Sequence, residues 1–341
     1  MKLRPQPKPL GNRRRPRNNA ARKGVAVHAL TAQGGQSHFR GSQALSHGNV
    51  AGAAKIGTVP FERNNAAMKG TAMDKIVVLA RGLGTRMRRP EGGAALDQRQ
   101  AAMADAGIKA MINIGRPFLD YVLSAAADAG YRHACLVIGP QQEAIRRYYG
   151  EEVATERMDV CFACQPEPKG TADAVAAAEP FAGSDPFAVI NSDNYYPVEA
   201  LRALREQPGC AVALFEREAM LAGGNIPEER IKRFAVAQID GRGCLQRIIE
   251  KPDDAALAAL PRPLWVSMNC WRFGPSIFKA CRAIRPSPRG EFEIPDAVQY
   301  AKDVLGETFF AVTVRAPVLD MTSRGDIASV AAILQGTEVR L

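Results

Sequence analysis

The chain has 341 residues, of which 46% are hydrophobic, so it is long enough for one large domain or two ordinary ones with a buried core. Residues 1–73 hold 13 of the 45 basic side chains and one of the 35 acidic ones, which leaves 32 basic and 34 acidic side chains for the rest. A secretory signal and an 18-residue apolar run are both missing from the sequence, which excludes export and membrane spanning and favours a cytoplasmic protein.

The N-terminal segment, residues 1–72, is rich in Asn, Gly, Gln, Ala and Arg and has no sustained apolar periodicity. Such a segment cannot offset the entropy cost of folding, so we expect a disordered basic tail. Three interpretations stay open: a contact with nucleic acid or an acidic surface, an Arg-rich targeting peptide, or an incidental extension translated upstream of a start at Met73. We do not expect nucleic acid as a partner, and the tail is the one segment through which such a contact could form.

All seven cysteines lie beyond residue 130 at irregular spacing, which is typical of reduced thiols. Cys161 and Cys164 form a C-x-x-C pair that interrupts an apolar run, and no second pair at ligand spacing follows. We therefore expect these two side chains to pack in the core.

From residue 74 onward, strand-like apolar runs alternate with helix-like segments. Strands are predicted at 76–80, 133–139, 158–165 and 186–193, with helices at 117–130, 141–149 and 171–181. Repeated β-α-β units of this kind predict an α/β fold, a Rossmann-like three-layer α/β/α arrangement with a mostly parallel mixed sheet.

After residue 195 the alternation loosens. Further elements are predicted as strands at 211–217, 264–273 and 309–316, a hairpin at 234–252 that turns at Asp240 and Gly241, and helices at 274–284 and 326–335. We expect one folded domain, residues 73–341, with a first part at about 73–195 and a second at about 196–341. Sites in open α/β sheets form at the carboxyl ends of strands, where this sequence places Arg81, Asp193 and Asp320.

The loop after the first strand has the pattern G-x-G-T-R, which is neither a Walker A loop nor a dinucleotide fingerprint. Glycines such as Gly82 and Gly84 let backbone N–H groups approach phosphate oxygens closely. Thr85 adds a hydroxyl, and Arg86 can hold two oxygens with its fork of donors. The loop therefore predicts an anion site.

Seven segments in order resemble motifs of the sugar-1-phosphate nucleotidyltransferases, the NDP-sugar pyrophosphorylases. They are LARGLGTRM (79–87), KAMINIGRP (109–117), QPEPKGTADAV (165–175), VINSDNYY (189–196), IIEKP (248–252), GEFEIPDAV (290–298) and VLDMTS (318–323). The chain departs from the family pattern at Arg81, where the family has glycine, and an arginine there either adds a phosphate contact or obstructs the loop. We expect Arg81→Gly to be tolerated or to improve triphosphate binding, unless Arg81 is a second phosphate clamp. Asn113 replaces a proline, and Met321 and Thr322 lack the family's glycine.

The resemblance implies a nucleoside triphosphate and a sugar-1-phosphate as substrates and Mg²⁺ as cofactor. The implied catalytic residues are Arg86, Lys109, Asp193 and Lys251. The implied nucleotide-binding residues are Ala80, Arg81, Gly82, Gly84, Thr85, Gln165, Gly170 and Thr171. The implied sugar-phosphate ligands are Glu250, Asn269 and Glu291, and the implied metal ligands are Asp193 and Asp320.

The reaction implied by the resemblance is transfer of a nucleotidyl group to the sugar-1-phosphate, with release of pyrophosphate by Mg-assisted in-line displacement. Two alternatives stay open. One is a catalytically silent homologue that binds nucleotide or sugar phosphate, and the other is a nucleotide-sugar glycosyltransferase of related fold. The sequence is compatible with an assembly of identical subunits.

Overall fold

The computed structural model of the protein describes residues 73–90 and 96–341, so the expectations for residues 1–72 lie outside the described part of the chain. The strands are β1 Lys75–Leu79, β2 His133–Ile138, β3 Asp159–Cys164, β4 Phe187–Asn191, β5 Asn194–Tyr195, β6 Ala211–Glu216, β7 Val236–Ile239, β8 Leu245–Ile249, β9 Trp265–Phe273, β10 Phe310–Val314 and β11 Leu319–Asp320.

The helices alternate with these strands over most of the chain. They are α1 Gln98–Ala106, α2 Phe118–Asp128, α3 Glu143–Arg147, α4 Thr171–Ala177, α5 Glu179–Ala182, α6 Val198–Arg205, α7 Arg217–Gly223, α8 Glu228–Ile231, α9 Asp254–Ala259, α10 Ser276–Ala283, α11 Ile294–Asp303 and α12 Asp326–Ile333. A 3₁₀ turn at Lys109–Met111 and a π-helical turn at Tyr148–Glu152 complete the set. No helix in the described ranges is long and apolar enough to cross a membrane.

One mixed sheet organises the domain. Its main path runs β10-β6-β9-β4-β1-β2-β3, and β7 joins β8 to the side of β9. β1 pairs in parallel with β2 and β4, β3 pairs in parallel with β2, and β10 with β6. β9 runs antiparallel between β4 and β6, so the six remaining strands of the main path point the same way and end at one edge. The predicted α/β fold with a mostly parallel mixed sheet is confirmed.

The central strands β1, β2, β4 and β6 are buried on both faces of the sheet, which explains their continuous apolar runs. Along β1, Ile76 and Val78 belong to one core cluster and Val77 to the other, as the alternation of side chains in a strand requires. The first cluster also contains α2 and α6 side chains, whereas the second contains side chains from α4, α10 and α11.

Two predicted helices differ from the structure. The helix expected at 141–149 is α3 followed by the π-helical turn, where the hydroxyls of Tyr148 and Tyr149 both donate to the buried Asp120 carboxylate, at 3.0 and 2.6 Å. The helix expected at 171–181 ends at Ala177 and restarts as α5, because Pro180 lacks the N–H that an uninterrupted helix needs.

One further expectation was wrong. Cys161 and Cys164 are exposed rather than packed in the core, because β3 is an edge strand of the sheet; all seven cysteines are free. The hairpin predicted at 234–252 forms from β7 and β8 with Asp240 and Gly241 in its turn, and Asp240 N donates to Cys244 O at 2.8 Å across the loop.

Candidate active site

A cavity of about 450 Å³ opens beyond the carboxyl ends of β1, β3 and β4. Most residues predicted for the site line it: Ala80, Arg81, Gly82, Gly84, Thr85, Arg86, Lys109, Gln165, Gly170, Thr171, Asp193, Asn269 and Glu291. The structure thus brings the glycine loop and the ends of three parallel strands together around one space. Glu250, Lys251 and Asp320 do not line this cavity.

The glycine loop, residues 80–87, is held by close backbone packing. Gly84 has φ +60°, and a Cβ there would lie 2.2 Å from the carbonyl oxygen of Gly107, so only glycine fits. Gly107 caps α1 in the left-handed conformation, which aims that carbonyl at the loop. Met87 is fully buried and its carbonyl accepts from Arg324 Nε at 2.9 Å. Thr85 and Arg86, between these anchors, stay exposed at the cavity wall.

Arg81 is fixed inside the wall rather than extended into solvent. Its side chain is buried against Gly139, and its Nε and one terminal nitrogen donate to the carbonyls of Gln165 and Pro166, at 3.3 and 3.4 Å. The guanidinium therefore ties the glycine loop to the end of β3.

Lys109 and Asp193 form an ion pair across the cavity. Lys109 Nζ donates to Asp193 Oδ2 at 2.7 Å, and both side chains are mostly buried. Lys109 begins the 3₁₀ turn after α1, and Asp193 lies between β4 and β5, so residues from different parts of the chain meet here. An ammonium and a carboxylate in this position can bind an anion and a cation respectively.

Asp320 lies behind Asp193. β11 pairs with β5, and Met321 N donates to the backbone oxygen of Asp193 at 2.8 Å. Asn194 Nδ2 donates to Asp320 Oδ1 at 3.0 Å, and Arg230 Nε lies 3.5 Å from Asp320 Oδ2, which accepts no hydrogen bond from the described residues. Burial, and then the nearby carboxylate of Asp193, raise the pKa of Asp320 to about 6.

Asp193 and Asp320 both offer hard oxygen ligands of the kind that a divalent cation takes. The buried Asp320 Oδ2 accepts no hydrogen bond within the described chain, although Arg230 Nε lies 3.5 Å from it and supplies an opposite charge. Groups of three or more His, Cys, Asp or Glu side chains placed to hold a metal do not occur in the described ranges, so substrate or water oxygens would have to complete the coordination.

Gln165 is buried at the end of β3 with its amide fixed. Its Nε2 donates to Gly170 O at 3.0 Å and to Asp173 Oδ2 at 2.7 Å. Gly170 has φ +114°, and a Cβ there would lie 2.3 Å from the carbonyl oxygen of Phe292. The adjacent Thr171 hydroxyl accepts from Ile294 N at 3.0 Å, so this segment is packed against the loop that begins α11.

The remaining wall carries Asn269 and Glu291. Asn269 has φ +54° in a β-bulge of β9, where the register with β6 shifts, and its Oδ1 accepts from Trp271 Nε1 at 3.4 Å. Glu250 lies outside the wall near Glu293; burial, and then that second carboxylate, raise the pKa of Glu250.

Two residues at the site were missed by the sequence analysis. Gln142 lines the cavity and supports the loop, since its Nε2 donates to Ala80 O at 2.6 Å and its Oε1 accepts from Gly139 N at 2.7 Å. No motif signals this contact. Asp173 holds the Gln165 amide. It lies within the motif at 165–175, three residues after Gly170, but the motif itself does not indicate this contact.

The described chain resembles known enzymes in sequence and fold. It is 27% identical over 230 residues to the UTP–glucose-1-phosphate uridylyltransferase AglF of Haloferax volcanii, covering 65% of this chain and 81% of AglF. It is 29% identical over 232 residues to a glucose-1-phosphate thymidylyltransferase of Streptomyces antibioticus, covering 67% of this chain but 57% of that protein.

The fold matches the crystal structure of a UDP-glucose pyrophosphorylase complexed with UDP-glucose, with a TM-score of 0.60 and 19% identity, over 78% of this chain and 100% of that one. A family model described as Nucleotidyl transferase matches residues 104–310, more than half of the 341 residues, although this range begins after the glycine loop. The chain therefore belongs to the nucleotidyl transferase family.

Proposed function

We propose that the protein transfers a nucleotidyl group from a nucleoside triphosphate to a sugar-1-phosphate and releases pyrophosphate. The observation that carries the proposal is a single cavity that combines the glycine loop, the Lys109–Asp193 pair and the fixed amide of Gln165. The names of the two relatives, a uridylyltransferase and a thymidylyltransferase, support UTP or dTTP as donor and glucose-1-phosphate as acceptor.

The glycine loop binds the β and γ phosphates through the backbone at Gly82 and Gly84 and the side chains of Thr85 and Arg86. Lys109 balances the negative charge that builds on the α phosphate. An oxygen of the sugar phosphate forms a bond to the α phosphorus while the bond from that phosphorus to pyrophosphate breaks. No proton transfer and no covalent enzyme intermediate are required, because a phosphate monoester is already a nucleophile.

Mg²⁺ belongs to this proposal, with Asp193 and Asp320 as the residues that would hold it. When bound, it screens the charge of the reacting phosphates. Asp193 also keeps Lys109 at the cavity wall through their ion pair. The buried Asp320 oxygen that accepts no hydrogen bond from the described residues supports this assignment.

The acceptor sugar phosphate takes the side of the cavity at Asn269 and Glu291. These two side chains hydrogen-bond sugar hydroxyls in the proposal. Lys251 and Glu250 do not line the cavity, and Glu250 lies near Glu293. In the proposal, Lys251 binds the sugar phosphate and Glu250 a sugar hydroxyl.

Residues 73–341 are proposed as the catalytic unit, with the nucleotide bound by residues at about 73–195 and the sugar phosphate by residues at about 196–341. The motifs of the site all lie within this range. A chain that lacks residues 1–72 is expected to retain the turnover of the full chain. Loss of turnover in a folded, truncated protein would instead place the N-terminal segment in the mechanism.

The test is a panel of nucleoside triphosphates against sugar-1-phosphates in the presence of Mg²⁺, with pyrophosphate release as the readout. Release with UTP or dTTP supports the proposal. Binding without turnover for any pair would favour a catalytically silent sensor, and transfer from a finished nucleotide sugar would favour a glycosyltransferase.

A further inference from the structure

The amide of Gln165 is fixed in one orientation by two acceptors. Its Nε2 carries two hydrogens, which donate to Gly170 O at 3.0 Å and to the Asp173 carboxylate at 2.7 Å. A carbonyl oxygen and an ionised carboxylate can only accept hydrogen bonds. Rotating the amide by half a turn would therefore place Oε1 against two acceptors, so the orientation follows from the chemistry of both neighbours.

The opposite end of the amide is left for a ligand. Gln165 is only 2% exposed and lines the cavity, and its Oε1 accepts no hydrogen bond from the described part of the chain. The cavity wall thus presents an acceptor without a matching donor of its own. A bound base displaces water from this oxygen, so the site favours a ligand that replaces the water with an N–H at that place.

We propose that Asp173 is a positioning residue that sets the base selectivity of the site by holding Gln165 with Oε1 available to the nucleotide. The inference rests on the proposed function, in which Gln165 meets the base edge. Uracil and thymine carry an N–H at ring nitrogen N3, which can donate to Oε1. Cytosine has an unprotonated ring nitrogen there, so two acceptors would face each other.

Asp173 also has an ordinary structural role, which the test must separate from this one. It is the third residue of α4, where a carboxylate interacts favourably with the helix N-terminus. Loss of that interaction lowers the stability of the protein and weakens the binding of all nucleotides alike. It does not change the ratio between two nucleotides that differ only in the base.

The experiment measures the dissociation constants of UTP and CTP for the full chain by calorimetry, without a sugar phosphate. Asp173→Ala removes the acceptor and is expected to lower the preference for UTP over CTP by about tenfold or more, the effect of one charge-assisted hydrogen bond. Asp173→Asn retains an oxygen that can accept from Gln165 Nε2, so it is expected to restore most of the preference.

A matched control exists on the outer surface. Gln299 Nε2 donates to Asp303 Oδ2 at 2.7 Å, the same pair of groups at the same distance, on the exposed side of α11. Asp303→Ala is expected to leave the UTP preference unchanged. If Asp173→Ala does not fold, Asp173→Ser provides the same test, because serine suits the first turn of a helix and is too short to reach the amide.

An unchanged UTP preference in a folded Asp173→Ala or Asp173→Ser protein would overturn the inference, as would a wild-type protein that binds CTP as tightly as UTP. Both outcomes are independent of turnover. If the wild-type protein prefers UTP, Asp173→Ala loses that preference, and no sugar-1-phosphate gives pyrophosphate release, then the proposed function is contradicted while the role of Asp173 is supported.

Discussion

Replacing Arg81 with glycine is expected to weaken both the fold and nucleotide binding, the opposite of what the family pattern suggests. The guanidinium donates to two backbone carbonyls at 3.3 and 3.4 Å, long bonds that together contribute about 1 kcal/mol. Burial of the aliphatic stem of Arg81 contributes about 2 kcal/mol to the free energy of unfolding. The added freedom of glycine in the unfolded chain lowers that free energy by a further 0.5 to 1 kcal/mol, roughly.

Rehydration of the guanidinium offsets part of this loss, so we expect the free energy of unfolding to fall by about 2 to 3 kcal/mol. Urea denaturation followed by tryptophan fluorescence measures this change, since Trp271 is fully buried in the sheet. Arg81→Met is the matched control: it retains an apolar stem and should lose only about 1 kcal/mol. An Arg81→Gly protein with wild-type stability and wild-type KM for the nucleotide would refute the bracing role of Arg81.

Three further changes test the rest of the site. Asp193→Asn should leave the fold intact and reduce turnover by roughly a hundredfold or more, because it removes a carboxylate from the proposed metal site and the charge that pairs with Lys109. Asp303→Asn is the control and should have no effect. Normal turnover of Asp193→Asn at saturating Mg²⁺ would contradict the assignment. Arg86→Ala should cost about 2 to 4 kcal/mol of transition-state stabilisation, measured as the fall in kcat/KM, because Arg86 is the proposed side-chain clamp on the phosphates. Arg89→Ala is the control and should cost far less, since Arg89 is in the same turn but outside the cavity wall. Gly170→Ala should prevent correct packing of its loop, since the added Cβ would lie 2.3 Å from the backbone oxygen of Phe292. Thermal unfolding followed by circular dichroism measures the loss of stability. A Gly170→Ala variant as stable as the wild type would disprove the need for glycine.

Local patterns in the sequence predict the helices and strands better than they predict the contacts between them. The apolar runs of β1, β2 and β4 are strands because both faces of the sheet are covered, and the signal is contained in a few consecutive residues. The start of α1 also carries a local sequence signal for a helix, because Asp97 and Gln100 form a capping box there. Its end at Gly107 matters for the site, because it places a carbonyl against the glycine loop.

The parts of the site that could not be predicted depend on residues distant in sequence. Gly170 is one of the implied nucleotide-binding residues, and nothing in the sequence indicates that the closest atoms to its missing side chain belong to Phe292. The sequence shows that Arg81 departs from the family pattern, but it does not show that the guanidinium donates to the backbone carbonyls of Gln165 and Pro166. Neither contact leaves a mark on the spacing of residues. The first forms only when the segment before α11 packs against the start of α4, and the second only when β1 and β3 are brought into one sheet.

The place of β9 in the sheet has a consequence for how the chain folds during synthesis. Trp271 pairs with Val189 on one side and with Val212 on the other, so a strand made late joins two strands made earlier. Until residues 265–273 leave the ribosome, β4 has an open edge and β6 has no earlier partner in the described sheet. The nascent chain must therefore keep an apolar, half-formed sheet from associating with other molecules, and completion of that sheet is a long-range step that waits for the synthesis of β9.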